Sequence, residues 1–245
     1  YIKRISKFCS SCGSDALSVK RIGTAEVVVF LKQHIQANIE LFDSDNITSN
    51  TKLKSILDKF NKQEIDILVG TQMLSKGHNY HNIGLSIIID IDTVLSIADF
   101  RSREKALSLF LQVAGRSGRK NNGQVIANTQ NQDFFTQYLS DYEAFLKDEI
   151  SFRSIYPPFV SLARIIFSGS NQEKIKLQMQ DIVNELKQIN KSEIVGYGEC
   201  AIHKIKNKFR YYILLRDKSI KRLLNTINSS SADKHLIDIN PINFT

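Results

Sequence analysis

The chain has 245 residues, 42% of them hydrophobic and 24% charged, and 33 Lys and Arg against 25 Asp and Glu leave a net charge of +8. Such a composition excludes a disordered or collagen-like chain, and the length suits two ordinary domains with real cores. No run approaches the ~18 consecutive apolar residues that cross a bilayer. No apolar segment follows the opening YIKRISKFC, so a cytoplasmic protein without membrane contact is expected. The chain opens on Tyr1 within an unfinished motif and reads as a piece of something longer.

In chain order, C-S-S-C-G comes first. Cys9 and Cys12 on one tight turn can share a tetrahedral metal, or they are two free thiols in a loop. With Cys200 distant and no histidine spaced as a partner, they make half a zinc site. Next, Val27, Phe30, Leu31 and Ile35 mark a helix over Thr24 to Gln36, and a short strand, IELF, follows. Leu53, Ile56, Leu57 and Phe60 mark a helix over Thr48 to Lys62, which feeds a buried strand over Ile65 to Val69. Leu85 to Ile91, almost wholly apolar and β-branched, reads as a central parallel strand. Arg103 to Val113 reads as a helix, Gly123 to Ala127 as a strand and Phe134 to Ile150 as one helix. Strands alternating with helices predict a doubly wound parallel sheet, with ligands at the carboxyl ends of its strands.

Pro157-Pro158 predicts an extended crossing over residues 151–160. Beyond it, strands over Leu162 to Phe167, Ile194 to Ile205, Arg210 to Leu215 and Leu236 to Ile239 interleave with helices over Gln172 to Ile189 and Lys218 to Asn228. That is the βαββαβ order of a split α+β sandwich. Residues 1–150 carry a net charge of +1 and residues 151–245 one of +7. Lys204, Lys206, Lys208 and Arg210 open a stretch opposed only by Asp217. Alternating lysines on one strand face, with Phe209, Tyr211 and Tyr212 nearby, suit a phosphate-binding surface; the plainer alternative is a solvated face.

Two motifs carry chemistry. Gly70-Thr71-Gln72-Met73-Leu74-Ser75-Lys76-Gly77 follows the strand that ends at Val69. About forty residues later comes Gln112-Val113-Ala114-Gly115-Arg116-Ser117-Gly118-Arg119. There the glycines are expected to end the preceding helix, and two guanidinium forks three residues apart can converge on a polyphosphate.

With both motifs in order on a parallel sheet, residues 1–150 resemble the second RecA-like lobe of a superfamily-two helicase. G-T-Q-M-L-S-K-G-H, Ser96-Ile97-Ala98-Asp99-Phe100-Arg101-Ser102, Q-V-A-G-R-S-G-R and Tyr156-Pro157-Pro158-Phe159 narrow this to the PriA family of replication-restart helicases (primosomal protein N′). The resemblance implies four parts: a remnant of a zinc-binding insertion over 1–22, helicase lobe 2 over 23–150, a linker over 151–160 and a basic C-terminal domain over 161–245.

It also implies roles. Arg119 is the arginine finger, with Arg116 and Gln112 beside it at the ATP γ-phosphate. Gly77 and Asn79 lie near the nucleotide, and Gly70, Thr71 and Gln72 meet the backbone of the tracked DNA strand. Cys9 and Cys12 form one zinc knuckle. The implied intact protein is an ATP- and Mg²⁺-dependent 3′-to-5′ DNA helicase. It recognises stalled or branched forks and starts primosome assembly with single-strand-binding protein and other primosome proteins. No G-x-x-x-x-G-K-[ST] occurs here and Ser75-Lys76-Gly77 has the wrong order, so this chain alone is expected to be inactive. A non-catalytic DNA- or protein-binding module and an RNA-unwinding relative are the alternatives.

Overall fold

A computed structural model describes residues 8, 12–14, 22–43, 47, 49–75, 80, 83–117 and 123–242. The chain divides into two compact units. Of the described residues, one unit comprises those from 8 to 97 and from 101 to 141; the other comprises 98–100 and 142–242.

In the first unit, α1 (Thr24–His34) precedes β1 (Ile39–Phe42), and α2 (Asn50–Asn61) precedes β2 (Ile67–Gly70). The Ser49 side chain accepts the Lys52 amide hydrogen and so caps α2. Parallel pairing of β1 with β2, from Ile39 opposite Ile67 to Phe42 opposite Gly70, leaves Phe42, Ile56 and Ile65 buried together. Leu53, Leu57, Phe60 and Leu74 pack around them. β3 (Leu85–Ile88) and β4 (Gln124–Ala127) form a second parallel pair, against which α4 (Ser102–Ser117) packs after the short α3 (Asp92–Leu95). α5 (Gln132–Tyr138) completes this unit.

Four sequence expectations change here. The described strands of this unit form two separate parallel pairs rather than one continuous sheet. The run from Leu85 is covered on one side only: Leu85, Ile87, Ile89 and Ile126 are about half exposed, whereas an apolar run of this kind suggests two covered faces. Helix α4 continues through Gly115, because one interior glycine costs only about 1 kcal/mol against alanine, too little to end a helix that packs along its length. Finally, the single helix expected over Phe134 to Ile150 is α5 and α6 (Tyr142–Phe152), separated at Leu139–Asp141, where Ser140-Asp141 favours a fresh helix start.

In the second unit, residues 153–160 form successive turns around a cis Pro157–Pro158 bond instead of an extended crossing. Backbone bonds from Tyr156 N to Arg153 O and from Phe159 N to Tyr156 O close these turns. Phe100 stacks on Tyr156 at 5.0 Å, and the Arg153 guanidinium lies over Phe100 while pairing with Glu149.

β5 (Ser161–Gly169), α7 (Gln172–Ile189), β6 (Glu193–Ile205), β7 (Lys208–Asp217), α8 (Ile220–Asn228) and β8 (Leu236–Ile239) then follow in the expected βαββαβ order. The antiparallel sheet runs β6-β7-β5-β8. Ile175, Met179, Ile182, Val183 and Leu186 make the buried stripe of α7, which packs on Ala163, Ile165 and Phe167 of β5 and on Tyr211, Ile213 and Leu215 of β7. Alternation along β7 sends Lys208, Arg210, Tyr212, Leu214 and Arg216 to the other face.

Asp217 closes this unit. Its buried carboxylate accepts from the Arg222 guanidinium at 2.7 to 2.9 Å, from Ser219 N at 2.8 Å and from Ser192 Oγ at 2.9 Å. The Arg222 hydrogen bonds, opposed by burial and helped by Ser219 and Ser192, lower its carboxyl from an ordinary 3.8 to about 2. A depressed folded-state value means that the stabilisation is full above pH 4 and is lost as pH falls towards 2. Asp217→Asn should therefore cost about 2 kcal/mol in urea unfolding at pH 7. Between pH 4 and 2 the difference from wild type should shrink; a constant difference would show that the carboxylate charge is not what stabilises the end of β7.

Candidate functional site

The loop at the carboxyl end of β2 is built on a close approach. A Cβ on Gly70 would lie 2.2 Å from the Phe42 carbonyl oxygen and 3.0 Å from the Leu74 side chain, so only glycine fits between the paired strand and the turn. The 3₁₀ turn Gln72–Ser75 begins at once, with Leu74 N donating to Thr71 O and Leu74 set against the Phe42 core. Thr71 and Gln72 are thereby presented at the surface.

Helix α4, which carries the described part of the second motif, packs beside this turn. Gln112 is exposed on α4, and its side-chain amide donates to Ser108 Oγ at 3.0 Å. Arg116 lies one helical turn further on. The Arg116 side chain, and Gly77, Asn79 and Arg119 as whole residues, lie outside the described residues.

At the carboxyl ends of β3 and β4 is a connection that sequence reasoning missed. The Asp92 carboxylate accepts from Thr129 Oγ1 at 2.6 Å, Gln130 N at 2.5 Å and Asn131 Nδ2 at 3.0 Å, tying the loop after β4 to the start of α3. Burial raises the Asp92 carboxyl, but the hydrogen bonds from Gln130, Thr129 and Asn131 together outweigh it and leave the group below its ordinary value. The available signal was I-D-I-D-T directly after an apolar strand, where an acidic residue opening a helix suits the free backbone donors and the dipole.

In the second unit, the four expected DNA-contacting cations gather around a hairpin rather than along one strand. Lys204 ends β6 beside Ile205, Lys206 and Asn207 form the two-residue turn with φ of 47° and 62°, and Lys208 and Arg210 lie on β7. The sequence already separates a strand ending at Ile205 from one starting at Arg210; what the alternate lysines do not announce is a turn of only two left-handed residues, which Asn207 tolerates and Lys206 adopts. Lys204 is opposite Phe209, with Nζ 4.6 Å from the ring centroid, so it lies on the face that carries the core. Lys208 and Arg210 lie on the opposite face.

Residues 8–121 match the family described as helicase conserved C-terminal domain, and residues 154–242 match the primosomal protein N C-terminal domain. The replication restart protein PriA of Helicobacter pylori strain 26695 is 36% identical over 230 residues, which take in 92% of this chain and 37% of that protein. Its counterpart from Borreliella burgdorferi is 34% identical over 239 residues, covering 94% and 36%, and that from Bacillus subtilis strain 168 is 31% identical over 252 residues, covering 95% and 31%. The chain carries the helicase and carboxyl-terminal domains of the PriA family. It spans about a third of the length of the curated PriA proteins it matches.

The unit with the Gly70 turn is thus the RecA-like lobe 2 of a PriA-type chain, and the basic hairpin belongs to the PriA carboxyl-terminal domain. Cys12 is exposed in a turn before Gly13, whose φ is +69°, while Cys9 lies outside the described residues. Among the described residues no group of three or more His, Cys, Asp or Glu side chains is placed to hold a metal ion. None of the described helices is long and apolar enough to cross a membrane.

Gly70→Ala should destabilise the helicase unit by more than 1 kcal/mol, because the added methyl group meets a backbone carbonyl that cannot rotate away. Thr71→Ala should stay within about 0.5 kcal/mol, since that side chain is exposed. Chemical unfolding of both variants checks this, and equal stability of Gly70→Ala and wild type would contradict the close approach.

Proposed function

We propose that this chain is the carboxyl-terminal part of an ATP-dependent 3′-to-5′ DNA helicase that recognises stalled or branched replication forks and starts primosome assembly. The observation that carries this reading is the succession of a helicase domain and a primosomal carboxyl-terminal domain in one chain. Of the alternatives, a stand-alone binding module leaves Q-V-A-G-R-S-G-R without a task, and an RNA-unwinding relative does not account for the second domain.

In this proposal lobe 2 supplies half of an ATP site. Bound ATP with Mg²⁺ supplies the free energy of phosphoryl transfer. Arg119 is the finger that stabilises charge on the transferred phosphoryl group, with Arg116 and Gln112 beside it. The exposure of Gln112 on a helix that packs against the Gly70 turn supports a link between nucleotide and DNA contacts. Gly77 and Asn79 are assigned to the nucleotide, whereas Gly70, Thr71 and Gln72 are assigned to the tracked strand. The backbone amides of the tight turn suit phosphate oxygens.

Cys9 and Cys12 are assigned two of the four ligands of a zinc site whose other two come from elsewhere in the intact protein. Lys204, Lys206, Lys208 and Arg210 are assigned to branched and single-stranded DNA. Single-strand-binding protein and other primosome proteins are the proposed partners, in the cytoplasm.

Arg119→Ala in the intact protein should lower DNA-stimulated ATP hydrolysis by roughly 10³-fold or more while leaving fork affinity within a few-fold of wild type. Undiminished hydrolysis would remove Arg119 from the site. For the 245-residue chain, affinity for a DNA fork should fall steeply with salt and exceed that for an RNA duplex. Lys206→Glu with Lys208→Glu should make the log–log salt slope shallower by about 2. A slope equal to wild type would place the phosphate contacts elsewhere.

A further inference from the structure

We infer that the end of the β6–β7 hairpin is a stacking wedge for the exposed base face at a DNA branch point, with Ile202 and Ile205 as its contacting side chains. This rests on the reading that the hairpin cations hold DNA. It adds the chemistry by which such a surface distinguishes a branch from a continuous duplex.

The pairing register jumps here. Glu199 is opposite Tyr211, but Lys204 is already opposite Phe209, so residues 200–203 form an excursion across from Arg210 alone. The root of this excursion is well anchored. Tyr211 Oη donates to Glu199 Oε1 at 3.3 Å and accepts from Gln172 Nε2 at 3.2 Å, while Glu199 Oε2 lies 3.4 Å from His203 Nδ1. The His203 ring meets Phe209 and Tyr211 edge-on, and Cys200 is buried.

Against that fixed root, two large aliphatic side chains point away from any core. Ile202 is 50% exposed and Ile205 is 41% exposed. Neither belongs to the cluster buried between the sheet and its helices. Ile205 sits directly across from Lys208, next to the two-residue turn that carries Lys206. No acidic residue occurs between Cys200 and Arg210. Two exposed apolar side chains on a short stretch whose only charged residues are cations are complementary to a polyanion that also offers an apolar surface.

Continuous duplex DNA presents phosphates outward and hides its base faces, so isoleucine could reach them only by unstacking a step. At a branch, gap or frayed end the stack is already broken and one base face is open, so that cost disappears. Aliphatic wedges flanked by cations are one of the ways proteins use such a step. Ile205 opposite Lys208 allows a phosphate to be held by the ammonium group while the neighbouring base rests on the aliphatic side chain.

The test uses the 245-residue chain, a DNA fork with 2-aminopurine at the branch and a continuous duplex of equal length. Ile202→Thr combined with Ile205→Thr keeps β-branched residues at both positions, and its unfolding midpoint should match that of wild type. Wild type should prefer the fork by roughly tenfold, the size expected from burying about one aliphatic side chain against an open base face, and should change the 2-aminopurine fluorescence. The threonine pair should bind fork and duplex nearly equally, with duplex affinity unchanged and the fluorescence change lost. Retention of both fork preference and fluorescence change by the threonine pair overturns the wedge while leaving phosphate binding by the hairpin intact. If Lys206→Glu with Lys208→Glu leaves all DNA binding unaltered, the DNA reading of the hairpin fails and the wedge with it. If the threonine pair instead loses binding only to an acidic, leucine-containing peptide, the patch is a protein-docking site and the wedge is overturned.

Discussion

The structural constraint on which the basic surface depends is the period of two along β7. Tyr211, Ile213 and Leu215 must face α7 to be buried, and a strand cannot turn three residues inward without turning their neighbours outward. Lys208, Arg210 and Arg216 are therefore fixed on the opposite face by the same packing that holds the domain together. Nine paired residues between β5 and β7 make a register slip unfavourable, since a shift by one would place the arginines in the core. The long hairpin can extend beyond the core because its central strand is held this firmly.

A different constraint governs the helicase unit. There the strands are only four residues long and the described ladders are two separate parallel pairs, so no single sheet fixes every loop. Local devices take over that task. Gly70 lets the chain pass against the Phe42 carbonyl and turn at once, while Asp92 gathers Thr129, Gln130 and Asn131 into one connection. Both devices sit at carboxyl ends of strands, the edge at which α/β folds place ligands. If this loop meets a phosphate backbone as proposed, it needs a defined course but no bulk, and a glycine held by a steric limit satisfies both conditions.

Legibility in the sequence followed the physical source of each signal. Helix α7 was readable end to end because Ile175, Met179, Ile182, Val183 and Leu186 repeat at helical spacing and Asn171 and Asn190 punctuate its ends. Strand β8 was equally clear as a short apolar run. The apolar run at Leu85 was ambiguous, since apolar residues on both faces do not require both faces to be covered. Gly115 looked like a stop signal, but tertiary packing outweighs its small intrinsic cost. The alternation of Lys204, Lys206 and Lys208 suggested a single strand face, but the two-residue turn inverts the parity, setting Lys204 opposite Phe209 and Lys208 opposite Ile205, so that Lys204 and Lys208 fall on opposite faces. Asp92 drew no attention, since its partners lie 37 to 39 residues away and no local pattern announces them.

The division of charge gives this arrangement its functional sense. With a net +1 in residues 1–150 and +7 in residues 151–245, nonspecific attraction to a polyanion is concentrated in the second unit. On the proposed function, a lobe that repeatedly takes hold of and releases a strand during ATP turnover would be better served by a few neutral contacts, such as those open to the exposed Thr71 and Gln72, than by strong charge, which would slow release. On the same proposal, a domain that selects where the motor starts would benefit from the opposite property, because long-range attraction brings it to DNA before any base is examined. Charge alone, however, cannot distinguish a fork from the duplex on either side of it, since both present phosphates. The discriminating contact has to be short-range and apolar, and on this domain the exposed isoleucines among the hairpin cations meet that requirement.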